Sequence, residues 1–299
     1  MKSRLIYWLT YAGMWLLALL PFKVLYILSD GLCFLMHHVV HYRRRVVRAN
    51  LCNAFPEKSA AELRDIEREF YRYICDYMLE EVKMLRMSFK ELCRRMEYDN
   101  KEEYLAMIEK HGGIVLLIPH YANFEWITGM SSIMQEGDIP VQIYKPLHNK
   151  YMDAMFKRIR TRFGGYNVAK HSTAREIIKL CRDNKRVAVG MITDQSPNPN
   201  EAHYWTTFLN QDTVFMDGAE RIAKLMDFPV FYCELQKQGR GYCRVRFDLI
   251  TETLKATADG EITECFARRL EQTIRREPPY WFWSHKRWKL KREDTIQHG

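Results

Sequence analysis

The sequence predicts an α/β protein, a mixed and mainly parallel sheet flanked by helices, carrying an N-terminal hydrophobic helical membrane anchor. Two observations predict the sheet. From about residue 112 short, wholly apolar runs alternate with segments of helical period, the pattern of strands covered on both faces by crossover helices. GGIVLLIP and, after its leading Arg186, RVAVGMI are such runs, and neither has a polar face to turn to water. A third observation predicts the anchor: residues 5–20, LIYWLTYAGMWLLALL, hold no formal charge, and a second apolar stretch runs from Val24 to Val40 after Pro21 and Lys23.

Residues 5–20 as a helix span about 24 Å, less than the roughly 30 Å of a bilayer's hydrocarbon. The anchor therefore crosses with its flanks included or lies partly inserted; a pair of buried core helices is the competing reading. Tyr7, Trp8, Tyr11 and Trp15 suit a membrane interface. No small-residue cleavage site follows, which argues against a signal peptide. Arg43, Arg44, Arg45 and Arg48 outweigh Lys2 and Arg4 on the other flank, so the main domain is expected on the cytoplasmic side. The expected division is an anchor over 1–41 and a domain over 42–299, the latter with a helical lead-in at 42–100 and an α/β core at 112–290.

In the lead-in, Ser59 and Glu62 have capping-box spacing before a long helix over 56–86, and a second helix is expected over 88–97. The core then reads in order: a strand at GGIVLLIP; a helix at NFEWITGMSSIMQ with Asn123 as candidate cap; a strand at 140–144; a helix over 149–163. A helix from Ser172, the strand RVAVGMI, a helix at FMDGAERIAKLMD, the strands PVFYCEL and YCRVRFDLI, and a helix over 260–276 stopped by Pro278 and Pro279 complete it.

The chain's 46 Lys and Arg against 37 acidic residues give a net charge of +9. That surface attracts phosphates, nucleic acid, anionic membranes or acidic proteins. The eight cysteines form no C-x-x-C and no zinc-like cluster, and they read as reduced small hydrophobes in a cytosol-facing domain.

In open α/β sheets, sites lie at the carboxyl ends of strands, where both His120 and Asp194 fall. Glu125 opens the next helix, where the macrodipole favours an anion. A histidine donating one ring N–H to such a carboxylate keeps its other nitrogen as a base. No G-x-S-x-G or neighbouring nucleophile accompanies the pair, so any hydroxyl to be activated belongs to a substrate. Spacing alone also allows a capping or packing role for both residues.

H-x-x-x-x-(D/E) after a buried strand resembles the signature of the glycerolipid acyltransferase superfamily, and this version looks like its lipid A late acyltransferase branch in Gram-negative bacteria. YRRRVVRANLCNAFPEKS, YKPLHNKYMD with RIRTRFGG, ITDQ, and PPYWFWSHKRWK resemble further motifs of that branch, in order, over about residues 42–290. WTTFLNQDTVFMDG departs from the branch's F-F-G-x-x-A-x-T-like segment and leaves the acceptor open.

The resemblance implies a glycerolipid acyltransferase-like fold at the bacterial inner membrane, facing the cytoplasm. It implies O-acyl transfer from an acyl carrier protein thioester, as co-substrate, to a lipid hydroxyl, with no covalent acyl-enzyme, metal or cofactor. His120 would be the base and Glu125 would hold it. Asn123, Lys145, Arg158, Arg160, Asp194 and Gln195 would bind substrate, with Arg158 and Arg160 favoured for the acceptor's phosphates, although 158 and 162 share a helical face that excludes 160.

Aromatics interleaved with cations over 280–292 are expected at an anionic membrane surface or against the acidic carrier protein. Nucleic acid is not an expected partner of an anchored chain. Another acceptor (a lysophospholipid, aminolipid or glycolipid) and a membrane-anchored basic binding module without catalysis are the competing readings.

Overall fold

The computed structural model describes residues 2–147 and 149–293. Residues 1, 148 and 294–299, which the expected domain bounds and the YKPLHNKYMD match include, lie outside the described residues.

Helices α1 (Lys2–Leu19) and α2 (Phe22–Phe34), the latter continued by a π turn over Leu35–Val39, pack against the long α4. Between them lies α3 (Arg44–Ala54); α4 itself runs Ala60–Lys83 and is opened by the expected capping box. Ser59 Oγ accepts from the Glu62 N–H at 3.3 Å, and the Glu62 carboxylate accepts from the Ser59 N–H at 2.8 Å. The two reciprocal bonds satisfy donors that a helix start otherwise leaves without partners. Polar contacts fix α2 to α4. Asp76 accepts from Ser29 Oγ at 2.6 Å and from Arg240, which also reaches Asp30. The stretch Phe22–Val39 is long and apolar enough to cross a membrane, by length and composition.

After α5 (Phe89–Arg95) come β1 (Met96–Asp99), α6 (Lys101–His111) and β2 (Gly113–Ile118). Then follow β3 (Ile139–Tyr144), α7 (Lys150–Thr161), β4 (Tyr166–Ala169), α8 (Thr173–Arg182) and β5 (Val187–Ile192). The chain continues through β6 (Tyr204–Phe208), β7 (Gln211–Phe215), α9 (Gly218–Met226), β8 (Val230–Gly239), β9 (Tyr242–Thr251) and α10 (Glu261–Arg276).

The main sheet has seven strands in the order β1-β9-β8-β2-β5-β3-β4, every neighbouring pair parallel except β8 and β9. The mixed, mainly parallel sheet flanked by helices is therefore as expected. β2 is buried at every position, which explains why it carries no polar residue. Gly113 starts it because a Cβ there would sit 2.4 Å from the Phe228 ring and 2.8 Å from Val187 Cγ2.

Three features differ from expectation. Residues 96–97, expected at the end of a helix, instead open the strand Met96–Asp99, which pairs with β9. β4 and the separate β6–β7 hairpin are strands that the apolar pattern does not announce, since β6 is mostly half-buried. The segment after Asn123 is a 3-10 helix over Phe124–Ser132, and Asn123 makes no cap with its side chain.

Candidate active site

His120 and Asp194 meet because of strand register. β2 and β5 are adjacent and parallel, with Ile118 opposite Ile192, so the residues two positions beyond each strand emerge side by side at the carboxyl edge. His120 Nδ1 lies 2.6 Å from Asp194 Oδ1, and the His120 backbone N–H donates to Oδ2 at 3.1 Å. The indole N–H of Trp281 donates to the same Oδ2 at 2.8 Å. The Asp194 side chain has no exposed surface. Burial works to raise its pKa, but the His120 imidazole and the three hydrogen bonds outweigh it and hold the carboxyl below the usual range. An ionised Asp194 accepts the Nδ1 proton and leaves Nε2 with its lone pair. The Gln195 amide lies 3.1 Å from Nε2 and donates to it in that tautomer.

The chain reverses just past His120. Ala122 has φ 47, a left-handed conformation rare for a residue with a side chain. Its backbone is held at both ends: its N–H donates to the Tyr280 carbonyl at 2.9 Å, and its carbonyl accepts from Tyr73 Oη at 2.8 Å. The turn brings Phe124 edge-on to the imidazole at 4.8 Å, with Phe282 at 5.7 Å. Tyr77 stacks on Phe124 and completes an apolar wall beside the base.

Glu125 does not hold His120. It faces α7, where Arg160 grips it with two donors at 2.6 and 3.0 Å, and no ion pair joins it to the imidazole among the described residues. The physical reason is the turn at Ala122, which places Phe124 on the ring, together with the nearer carboxylate that β5 delivers. Burial opposes the Arg160 charge, but Glu125 and the neighbouring Glu81 more than offset it and raise the guanidinium's pKa. Glu81 is pushed well above the carboxylate range by burial and by the Glu125 charge.

The other expected substrate residues are dispersed. Asn123 is buried and donates to Glu80 at 2.6 Å. Lys145 is exposed in the loop after β3. Arg158 points away from Arg160, towards Arg86 and Arg162, so the two arginines do not converge on one phosphate.

The aromatic and basic tail is a surface patch only through its cations Lys286, Lys289, Lys291 and Arg292, which are exposed. Trp281, Trp283 and Arg287 are all buried, with Arg287 at 1% exposure. The guanidinium donates to the Val214 carbonyl and lies 4.7 Å over the Phe215 ring. His285 Nε2 accepts from the Ser196 N–H at 3.2 Å; burial, then the Arg287 charge, lowers its pKa to about 4 and keeps it neutral. Trp281, a site residue through Asp194, gave no signal beyond lying in the PPYWFWSHKRWK stretch.

A family model for bacterial lipid A biosynthesis acyltransferases matches residues 1–290. The chain is 23% identical over 295 residues to the lipid A biosynthesis lauroyltransferase of Escherichia coli K12, covering 96% of this chain and 93% of the relative. It is 20% identical over 289 residues to the lipid A biosynthesis palmitoleoyltransferase of the same organism, covering 95% and 92%. With a lipid A biosynthesis acyltransferase of Haemophilus influenzae it shares 22% over 224 residues, 73% of this chain and 68% of the relative.

Proposed function

Since the chain belongs to the bacterial lipid A biosynthesis acyltransferase family, we propose that it moves a fatty acyl chain from an acyl carrier protein thioester to a hydroxyl of a Kdo-lipid A precursor, with His120 as the base and Asp194 as its partner. The observation that carries the mechanism is the 2.6 Å contact between His120 Nδ1 and a fully buried carboxylate, which leaves Nε2 to accept a proton.

In the proposed reaction the Gln195 amide gives up Nε2 to the acceptor hydroxyl. The hydroxyl oxygen attacks the thioester carbonyl carbon as Nε2 takes its proton. The imidazolium that forms is stabilised by Asp194, which stays ionised. In this reading the tetrahedral oxyanion is met by backbone N–H groups at the very start of the 3-10 helix, ahead of Trp126, whose own N–H already donates to the Asn123 carbonyl. The carbon–sulfur bond then breaks, and the thiolate takes the proton back from His120. Arg160, gripped by Glu125, is a positioning element at the edge of the site rather than part of the proton path.

The membrane-bound setting is part of the same proposal. α1 and α2 turn Trp8, Leu9, Leu16, Ile27 and Phe34 outward. Such residues suit a protein at the inner membrane with its site on the cytoplasmic face, where an acidic carrier protein and a lipid acceptor meet.

The test is acyl transfer by the detergent-solubilised protein, with acyl carrier protein thioesters as donor and a Kdo-lipid A precursor or a lysophospholipid as acceptor. The proposal expects transfer to the lipid A precursor and none above background from His120→Ala. A preference for the lysophospholipid would move the acceptor, and undiminished transfer by His120→Ala would remove the mechanism.

A further inference from the structure

Between α1 and α7 lies a cleft of about 130 Å³ that the reaction described above does not use. Arg86, Arg158 and Arg162 line it, with Tyr11 and Trp15 of α1 as its apolar wall, and no carboxylate takes part in the lining. Arg162 is committed on one side to the carbonyls of Met84 and Met87 at the end of α4. The Arg86 guanidinium lies 5.3 Å over the Trp15 ring. Burial and the like charges of Arg86 and Arg158 hold the pKa of Arg162 below its usual value.

Three guanidinium groups facing one cleft repel one another, and among the described residues no carboxylate lines the cleft to relieve them. An anion with several oxygens relieves them, and guanidinium groups match phosphate in a forked, two-bond geometry. The wall of the cleft says where that anion comes from. The same helix that supplies Tyr11 and Trp15 exposes Trp8, Leu9 and Leu16, each with more than half of its surface open to solvent. A ligand entering beside this helix therefore arrives with apolar chains along α1 and its charged group among the arginines.

We propose that the cleft formed by Arg86, Arg158, Arg162, Tyr11 and Trp15 binds the phosphate group of a membrane lipid. The proposal rests on the membrane reading of α1 for the source of the phosphate, but not for the recognition itself. The cleft is one helix away from the reacting centre, because α7 turns Arg160 to Glu125 on one side and Arg158 to the cleft on the other. The phosphate belongs either to the acceptor or to a neighbouring bilayer lipid.

The experiment titrates water-soluble dihexanoyl phosphatidic acid into the full-length protein in a nonionic detergent, by calorimetry. Wild type is compared with Arg86→Gln/Arg158→Gln, and with Arg64→Gln/Arg175→Gln, which removes the same charge elsewhere on the surface. Arg162 is left intact because it caps α4. The expected result is saturable binding that weakens about ten-fold or more in the cleft variant and stays within about two-fold in the reference variant. Equal weakening in both variants, or no saturable binding by the wild type, overturns the proposal.

Two further arms identify the source. If the acceptor supplies the phosphate, the cleft variant raises KM for the acceptor and leaves kcat unchanged. If a bilayer lipid supplies it, KM holds and the variant binds phosphatidylcholine vesicles containing phosphatidic acid more weakly than the reference variant does. Wild type that fails to bind vesicles of either composition would count against the membrane reading of α1, while the titration in detergent still decides the cleft.

Discussion

At the scale of single residues, Asp194 gains its role from three donors and complete burial, and His120 from the lone pair that this leaves on Nε2. Trp281 donates to Oδ2 of Asp194, so Trp281→Phe is expected to lower kcat several-fold, to about a tenth, with the fold retained, as a rate assay and circular dichroism would report. His285 carries a pH prediction. Its folded pKa of about 4 lies below the ordinary histidine value of 6.5, so the folded state holds fewer protons than the unfolded chain between those values. Its contribution to stability is therefore complete above about pH 6.5 and is lost as the pH falls towards about 4. Urea midpoints should fall across that window, and His285→Gln should flatten the slope. The sequence located His120, Asp194 and Gln195 at strand ends but assigned the imidazole to Glu125. Distance along the chain favours Glu125, five residues away, whereas the contact with Asp194 depends on β5 being the neighbour of β2, which no single stretch encodes.

Among the elements, β2 matters most, because its register with β5 sets the dyad. Gly113→Ala puts a methyl against Phe228 and Val187, and overpacking of that kind costs about 1–3 kcal/mol, measurable by chemical denaturation. Activity should fall with it if the strand end shifts. Ser59→Ala removes the capping box of α4 and should cost about 1 kcal/mol while leaving transfer rates unchanged. Long apolar strands and the capping box were legible because burial and helix starts leave local signatures. β1 and β4 are four residues each, too short for a period to show, and β6–β7 lacks a continuous buried face. The 3-10 segment after Asn123 carries an apolar pattern that a helix would also carry, so only the turn at Ala122 distinguishes the two.

For the whole molecule, the N-terminal helices are a packed part of the fold with an apolar outer face. Ala18, Leu25, Ser29 and Met36 are buried, and Ser29 and Tyr26 bond to carboxylates of α4. Asp76→Asn weakens the contacts to Ser29 and Arg240 that hold α2 down, and the expected cost is about 3 kcal/mol, with faster proteolysis of residues 20–45 as the accompanying sign. The apolar character of this region was plain in the sequence, but its polar inner contacts join residues far apart in the chain. The tail shows the opposite mismatch. Trp281, Trp283 and Arg287 read as part of a surface patch, yet they fill the core behind Asp194, since a buried arginine over an aromatic ring has the same composition as an exposed one.

We propose that Asp194, not Glu125, holds His120 as the base, and the most direct measurement is kcat for Asp194→Asn beside Glu125→Gln under saturating donor and acceptor. The dyad predicts a loss on the order of 10³-fold for Asp194→Asn and at most about ten-fold for Glu125→Gln. The reverse order, with both variants folded, would contradict it.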